Sequence, residues 1–252
     1  MEARVGTPRI EILERIKKGD LLSLLTKAAE LHGHYCIGLS TGVLASYIAL
    51  KKLELQQNVT EVESHVKPNL IAIVENNLCF TDGVQMIVGT TLGNNTLIFR
   101  DSGKQSVTVI DRDTRRAVRV TLIDNPHKYL SISNDPKFAK YFEKFASKRE
   151  KFDENELREF RELMTRASLE LLSIPTEKLF KVEEWKLGEL KQVMSSPPIK
   201  HVRCEKCNEL VLESKGKYIN DKFYCLDCLD ESVPTVVGRG IANLRLKDIL
   251  DR

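Results

Sequence analysis

The sequence lacks an apolar run long enough to cross a membrane. Its longest mostly apolar stretch, residues 36–50, is interrupted by Ser40, Thr41 and Ser46 and is shorter than the roughly 20 residues that a spanning helix needs. Residues 1–18 are charged and carry no apolar core of the kind found in a signal peptide. We therefore expect a cytoplasmic protein with no membrane partner, in which residues 36–50 form a buried helix.

A strong excess of charge of either sign is also missing. The 39 Lys and Arg residues against 36 Asp and Glu residues leave a net charge of +3 on a chain of 252 residues. Proteins that coat nucleic acids carry a clear basic excess, so this balance argues against that class. Internal repeats and low-complexity segments are absent too. A composition that is 42% hydrophobic and 30% charged predicts one globular core with a smaller module beside it.

The order of the predicted elements favours an α+β fold. Strands expected at residues 96–100, 106–111 and 117–123 are separated by short turns, which is typical of hairpins. A further strand is expected at residues 69–75. We therefore predict a mostly antiparallel sheet with helices packed on one face. The predicted helices span residues 8–18, 21–31, 38–53, 82–88, 136–150 and 153–172.

Composition shifts along the chain predict four segments. The first is an α+β metal-binding domain at residues 1–172. A connector at residues 173–199 follows, with one or two short strands expected at residues 180–182 and 185–187 and a Ser195-Ser-Pro-Pro198 linker. A zinc-finger module is expected at residues 200–231 and a C-terminal tail at residues 232–252.

Four cysteines near the C-terminus form the strongest motif. Cys204-Glu-Lys-Cys207 is followed, after seventeen residues, by Cys225-Leu-Asp-Cys228. Each pair can direct two thiolates at one ion from a single turn, and two pairs complete the closed tetrahedron that structural Zn²⁺ prefers. A redox Cys-x-x-Cys motif normally occurs once, and disulfides suit secreted proteins. All four cysteines are therefore predicted to bind a structural zinc ion.

A second group of potential ligands lies in the first domain. His32, His34 and Cys36 fall within five residues, and Cys79 lies in a separate predicted turn. In an extended segment the first three side chains would point to one side, and His and Cys suit zinc and similar metals. Each cysteine precedes a predicted helix, whose positive end should lower the thiol pKa. Taken singly, each residue could instead be a polar helix end or a small buried side chain. As a cluster they favour a metal site with one open position, whereas a Cys36–Cys79 disulfide is disfavoured by a reducing compartment.

Several motifs together resemble a known family. The segments His32-Gly-His-Tyr-Cys-Ile-Gly38 and Cys79-Phe-Thr-Asp-Gly-Val-Gln85 resemble signatures of the FmdE-type family, which takes its name from one of the subunits of formylmethanofuran dehydrogenase. Gly89-Thr-Thr-Leu-Gly93 and Asp101-Ser-Gly-Lys104 extend the resemblance, which covers roughly residues 20–170. It implies an α+β domain, a treble-clef type of zinc finger and often a homodimer. The site residues that it implies are His34, Cys36, Cys79, Asp82, Gln85 and Lys104.

These observations predict a metal-binding accessory protein. His34, Cys36 and Cys79 are the expected ligands of a second metal ion of unknown identity, for which zinc is one candidate, and the sequence does not choose between His32 and His34. Gln85 and Lys104 are candidate cofactor-binding residues, and a dehydrogenase complex is a candidate protein partner. The family name does not itself predict redox catalysis, because too few cysteines remain for iron–sulfur clusters once zinc takes four.

Two other functions remain open. In the first, an open metal position activates water for hydrolysis or proton transfer, and the candidate catalytic residues are Cys36, Cys79 and Asp82, with Asp82 as general base. In the second, the zinc module regulates through nucleic-acid binding. Its Lys and Arg residues are matched by Asp and Glu residues, so this function ranks last.

Overall fold

The computed structural model describes residues 9–53, 70–189, 199–238 and 240–250. Two compact units divide the chain, Met1–Leu190 and Lys191–Arg252. The predicted linker at residues 195–198 lies outside the described residues. The domain boundaries expected at residues 172, 199 and 231 stay predictions.

The α-helices described in the first unit begin and end close to local sequence signals. Asp20 accepts a hydrogen bond from the Ser23 amide at 3.1 Å and so caps α2. Asp153 and Glu156 form a capping box at the start of α6. None of the described helices is both long and apolar enough to cross a membrane. The helices are α1 Ile10–Lys18, α2 Leu21–His32, α3 Ile37–Lys52, α4 Cys79–Val88, α5 Pro136–Glu143, α6 Glu154–Leu171 and α7 Thr176–Leu179.

The sheet of the first unit has five strands, in the order β2-β1-β3-β4-β5. β1 and β2 pair in parallel, whereas β1–β3, β3–β4 and β4–β5 are antiparallel. The α+β fold with a mostly antiparallel sheet is therefore confirmed. The strands are β1 Leu70–Val74, β2 Leu97–Phe99, β3 Ser106–Asp111, β4 Arg116–Leu122 and β5 Phe180–Lys186.

The core of the first unit lies between the helices and one face of this sheet. Alternate side chains of β3 and β4 point into it, among them Val107, Val109, Val118 and Val120. Helix α3 crosses this core and is buried along most of its length. A helix that is apolar on all sides belongs inside a protein, and the buried helix expected at residues 36–50 is confirmed.

Helices α3 and α4 touch backbone to backbone. A Cβ atom added to Gly42 would lie 2.1 Å from the carbonyl oxygen of Phe80, and one added to Gly83 would lie 2.8 Å from that of Leu39. These approaches exclude any side chain at either glycine. The contact brings the first turn of α3, which follows Cys36, against the first turn of α4, which begins with Cys79.

Several elements differ from the sequence prediction. The helix expected over residues 136–150 is α-helical only over Pro136–Glu143 and continues as a π-helix over Lys144–Lys148, and the expected tail contains the hairpin of Val233–Val237 and Gly240–Leu244. Residues 180–186 form one continuous strand, β5, which completes the five-stranded sheet. Its charged outward-facing residues hide the strand pattern, since only Phe180 and Val182 face the core. Helix α4 starts at Cys79, three residues earlier than expected. The preceding Asn76 side chain accepts a hydrogen bond from the Leu78 amide at 3.0 Å and so orders the chain up to the helix start.

The second unit contains three two-stranded antiparallel sheets among its described residues. The buried apolar side chains in this part are Cys204, Phe223 and Cys225. A core this small cannot stabilise a module of this length without an added cross-link such as a structural metal. The elements are β6 His201–Arg203, β7 Leu210–Leu212, β8 Gly216–Ile219, β9 Lys222–Cys225, β10 Val233–Val237, β11 Gly240–Leu244 and α8 Leu246–Ile249.

Candidate metal centres

Three potential ligands meet where α2 turns into α3. Helix α2 ends at His32, and Gly33 closes it with a left-handed backbone at φ +90°. The nitrogen and sulfur donors of His32, His34 and Cys36 all lie within 4.8 Å of one another. The extended segment expected from the sequence is therefore wrong, because residue 32 is helical and Gly33 is left-handed. The turn at Gly33 produces the convergence instead.

Asp82 of α4 orients the imidazole of His32. Its Oδ2 lies 2.7 Å from His32 Nδ1, and its Oδ1 accepts a hydrogen bond from Gln85 Nε2 at 3.1 Å. The other ring nitrogen, Nε2, faces the Cys36 sulfur at 3.7 Å. A carboxylate that holds one ring nitrogen and leaves the other free is typical of a metal-binding histidine. Asp82 thus holds the His32 ring, and Gln85 holds Asp82.

The donor atoms fit a metal of the zinc type. Zn–N bonds of about 2.05 Å and Zn–S bonds of about 2.3 Å at tetrahedral angles place the two donors about 3.6 Å apart. The observed separation of His32 Nε2 and Cys36 Sγ is 3.7 Å. The ring of His34 lies against that of His32 with centroids 4.4 Å apart, and His34 is exposed. Two imidazoles and one thiol supply three of the four ligands of a tetrahedral site.

Cys36 and Cys79 form a thiol pair beside this group. Cys36 caps α3 by accepting a hydrogen bond from the Leu39 amide at 3.4 Å. The hydrogen bond with Cys79, together with burial, raises the pKa of Cys36. The same hydrogen bond lowers the pKa of Cys79 to about 6, and the charge of His32 lowers it further. The pKa of Cys36 is therefore raised, in the direction opposite to the sequence expectation, because its thiol is buried and shares a hydrogen bond with Cys79.

Lys104 acts through its backbone and not, as the sequence suggested, through its side chain. Its side chain is exposed, while its backbone carbonyl accepts a hydrogen bond from Asn76 Nδ2 at 2.8 Å. Thr81 Oγ1 donates to the carbonyl of Asn76 at 2.6 Å. The loop that ends in Lys104 therefore supports the segment before α4, and this segment sets the position of Cys79.

Arg161 of α6 lies near the site, and the sequence did not single it out. Burial lowers the pKa of His34, and the charges of His32 and Arg161 lower it further. Arg161 belongs to an exposed polar stripe of a long amphipathic helix, where arginines are common. Its charge reaches His34 only through the packing of α6 in the folded protein.

The predicted site residues thus fall into three groups. His34 and Cys36 meet His32 in one cluster. Cys79, Asp82 and Gln85 adjoin that cluster through hydrogen bonds. Lys104 contributes through its backbone alone. The ligand set of His34, Cys36 and Cys79 stays a prediction.

The four C-terminal cysteines converge on a second point. Their sulfur atoms all lie within 4.8 Å of one another, with those of Cys207 and Cys225 at 3.9 Å. Tetrahedral Zn–S bonds of about 2.3 Å require sulfurs about 3.8 Å apart. The backbone amides of Cys207 and Cys225 lower the pKa of Cys204 to about 6, and the amide of Cys225 lies 3.4 Å from that sulfur. The geometry and the donor set both fit structural zinc.

Fold and sites together define a class of protein, an α+β domain with a His/Cys candidate metal site followed by a four-cysteine module. The family model described as "FmdE, Molybdenum formylmethanofuran dehydrogenase operon" matches residues 31–181. This match covers more than half of the chain, and the chain belongs to the FmdE family.

Known proteins that are similar to this chain include one from Archaeoglobus fulgidus and one from Syntrophus aciditrophicus. The "Probable S-adenosyl-L-methionine-binding protein" of Archaeoglobus fulgidus is 36% identical over 239 residues, which cover 94% of this chain and 61% of that relative. The chain thus spans about three fifths of the relative's length. The crystal structure of a tungsten formylmethanofuran dehydrogenase FmdE-like protein from Syntrophus aciditrophicus is 20% identical, with a TM-score of 0.49, and the match covers 83% of this chain and 91% of that one.

Proposed function

We propose that this chain is a metal-binding accessory protein with two different metal sites. His32, His34 and Cys36 hold an exchangeable metal ion, and the four cysteines hold a structural zinc ion. The observation that carries the proposal is the convergence of three donors within 4.8 Å, together with the 2.7 Å contact between Asp82 and His32. In this role the protein delivers or holds a metal or metal-containing cofactor for a protein partner such as a dehydrogenase complex, and it does so as a homodimer.

The residues around the first metal site have separate roles. Asp82 keeps the proton of His32 on Nδ1, so that Nε2 stays free as a ligand. The lowered pKa of Cys79 favours a thiolate beside Cys36, and this negative charge favours a divalent cation over a neutral ligand. A bound divalent metal would supply Lewis acidity and would deprotonate its thiol ligands.

Counting bound metal tests the proposal. We expect two metal equivalents per chain, and we expect the double variant His32→Ala/Cys36→Ser to lose one of them, measured by elemental analysis after gel filtration. His201→Ala is the matched control, since His201 is exposed on β6 and stands outside both donor groups. Anomalous scattering at metal edges identifies the ion that is lost. A double variant that keeps both equivalents contradicts the first site.

Asp82 should tune the affinity of that site. Replacing it with alanine removes the acceptor for His32 Nδ1 and should weaken metal binding by about 10- to 100-fold, measured by competition with a fluorescent chelator. Asp82→Asn keeps an oxygen acceptor without its charge, and its affinity for the metal should lie between those of the wild type and Asp82→Ala. Asp113→Asn, in the turn between β3 and β4, is the control for charge alone. An unchanged affinity in Asp82→Ala would show that Asp82 does not orient the ligand.

A second candidate function is binding of S-adenosyl-L-methionine, favoured by the name of the Archaeoglobus fulgidus relative. Equilibrium dialysis with this compound checks it. Saturable binding that persists in His32→Ala/Cys36→Ser would assign the compound to another part of the chain. Binding that is lost together with the metal would assign it to the metal site.

A further inference from the structure

A buried carboxylate lies directly after β1. The side chain of Glu75 is 6% exposed, and glutamates are almost never buried to this extent unless they are paired. Burial raises the pKa of Glu75, but hydrogen bonds from Ser102 and Arg119 outweigh this effect and bring the pKa below its ordinary value. The carboxylate is therefore charged, and the groups that it binds offset the cost of burying that charge.

The two oxygens of Glu75 bind different parts of the chain. Oε1 accepts hydrogen bonds from Arg119 Nε at 2.9 Å and Nη2 at 2.7 Å, and Arg119 also donates to Glu183 on β5 at 3.2 Å. Oε2 accepts hydrogen bonds from Ser102 Oγ at 2.7 Å and from Arg100 Nη1 at 3.0 Å. One oxygen thus ties the end of β1 to β4 and β5, whereas the other ties it to the loop that follows β2.

The loop that follows β2 holds the segment before α4. The loop is exposed at residues 101–104, so the buried carboxylate of Glu75 anchors it from below. At the end of the loop, the Lys104 carbonyl accepts hydrogen bonds from the Ser106 amide at 3.0 Å and from Asn76 Nδ2 at 2.8 Å. The position of the loop therefore sets the position of Asn76.

Asn76 connects this loop to the first metal site. Its Oδ1 accepts a hydrogen bond from the Leu78 amide at 3.0 Å, and its carbonyl accepts one from Thr81 Oγ1 at 2.6 Å. Thr81 lies in the first turn of α4, next to Asp82, and the Asp82 carboxylate is 2.7 Å from His32 Nδ1. The contacts of Asn76 thus fix the turn of α4 that carries the partner of His32.

We propose that Glu75 is a positioning residue of the first metal site. Its carboxylate holds the loop through Ser102, the loop holds Asn76, and Asn76 holds the start of α4, where Asp82 orients the metal-binding imidazole. The glycine contacts between α3 and α4 set how closely the two helices approach, whereas this network sets where α4 begins. The inference rests on the proposed function, because Glu75 has this role only if His32 binds a metal ion.

Ser102→Ala tests the network without disturbing the core, because Ser102 is exposed and the change removes one hydrogen bond to Glu75. We expect it to weaken zinc binding at the first site by about 3- to 10-fold, the equivalent of a single hydrogen bond. The affinity is measured by competition with a fluorescent chelator, on protein whose four-cysteine site is already filled. Ser102→Thr keeps the hydroxyl and should bind zinc as the wild type does, and Glu75→Gln should weaken zinc binding at least as much as Ser102→Ala.

Thr114→Ala is the matched control. Thr114 Oγ1 donates to Asp111 Oδ2 at 2.5 Å, and Asp111 is buried, so this pair is also a hydroxyl bound to a buried carboxylate. The register of β1 with β3 pairs Asp111 with Leu70, at the end of β1 opposite Val74. Thr114→Ala should leave the zinc affinity unchanged. A loss of affinity as large as that of Ser102→Ala would reflect general destabilisation and would overturn the inference.

A double-mutant cycle with Asp82 separates positioning from stabilisation. Among the hydrogen bonds of the described residues, Asp82 and Ser102 share no partner, so independent effects on zinc affinity would add. If Glu75 acts through Asp82, Ser102→Ala should change the affinity by less than about twofold in the Asp82→Ala background. Full additivity, wild-type affinity in Ser102→Ala, or wild-type affinity in Asp82→Ala overturns the inference while the metal site stands. A first site that takes up no zinc overturns the proposed function and this inference together.

Discussion

Gly42→Ala should destabilise the first unit severely. Alanine is the better helix former by about 1 kcal/mol, but its Cβ would lie 2.1 Å from the carbonyl oxygen of Phe80. A backbone carbonyl in a fully packed helix pair cannot rotate away as a flexible side chain would, and overpacking of this kind costs about 3 kcal/mol or more. The clash outweighs the propensity, and we expect a net loss of about 2 kcal/mol or more in the free energy of unfolding.

Trp185 makes this loss measurable in the first unit alone. It is the single tryptophan of the chain and lies on β5, so urea unfolding followed by its fluorescence reports on this sheet. Gly93→Ala is the control, because a Cβ at that position meets no atom within 4 Å. If Gly42→Ala unfolds at the urea concentration of Gly93→Ala, helices α3 and α4 are not held in backbone contact.

The backbone contact between α3 and α4 should also affect the geometry of the first metal site. Cys79 opens α4, and a Cβ at Gly38 would already lie 3.2 Å from the Cβ of Cys79. Forcing the helices apart at Gly42 must therefore lengthen the distance between Cys36 and Cys79. The backbone contact of two helices, set by glycines, is thus part of what assembles the site.

Much of the fold could be predicted from local patterns. The apolar period of the helices placed most of the helical elements, and the short turns between strands placed the hairpins. The pattern located β5 only in part, as two short strands in a connector, because an edge strand with alternate charged residues resembles a connector. The sequence pattern also misplaced the start of α4. The residue at its N-cap is Leu78, not a Ser, Thr or Asp, and the chain before it is ordered by the side chain of Asn76.

The two candidate sites also differ in how far the sequence alone predicts them. The four C-terminal cysteines are recognisable because each pair is local and the spacing alone implies one ion. In the first domain, His32, His34 and Cys36 are close in sequence, but the choice among them depends on Gly33 and on Asp82, fifty residues away. Arg161 carried no sequence signal, because its effect on the pKa of His34 arises only in the folded protein.

Removal of metal should unfold the second unit and leave the first unit folded. The described residues of the second unit bury only three apolar side chains, and two of these are the cysteines Cys204 and Cys225. Apolar burial on this scale cannot offset the chain entropy of some fifty ordered residues. In zinc-finger peptides the metal contributes an apparent 10–16 kcal/mol, roughly, and the apo forms are unfolded. We therefore expect the metal to supply most of the stability of this unit.

Hydrogen exchange followed by mass spectrometry checks this expectation. After treatment with a strong zinc chelator, peptides from residues 199–238 should lose their protection, whereas the protection of β3 and β4 should remain. The experiment is best done in the His32→Ala/Cys36→Ser background, so that loss of the first metal does not contribute, and Cys204→Ser should reproduce the result without chelator. Residues 199–238 that stay protected, in protein shown by elemental analysis to be free of zinc, would mean that the four cysteines are not the staple.

The position of the peptides decides how the exchange data are interpreted. The Cys204 amide donates to the carbonyl of Glu209, and the Cys204 carbonyl accepts from the amide of Asn208, so some local structure at this turn can survive without metal. The decisive peptides are those of β8 and β9, because the buried side chains of this hairpin are Phe223 and Cys225. One aromatic ring cannot hold a two-stranded sheet closed in water, so protection of this hairpin depends on the metal.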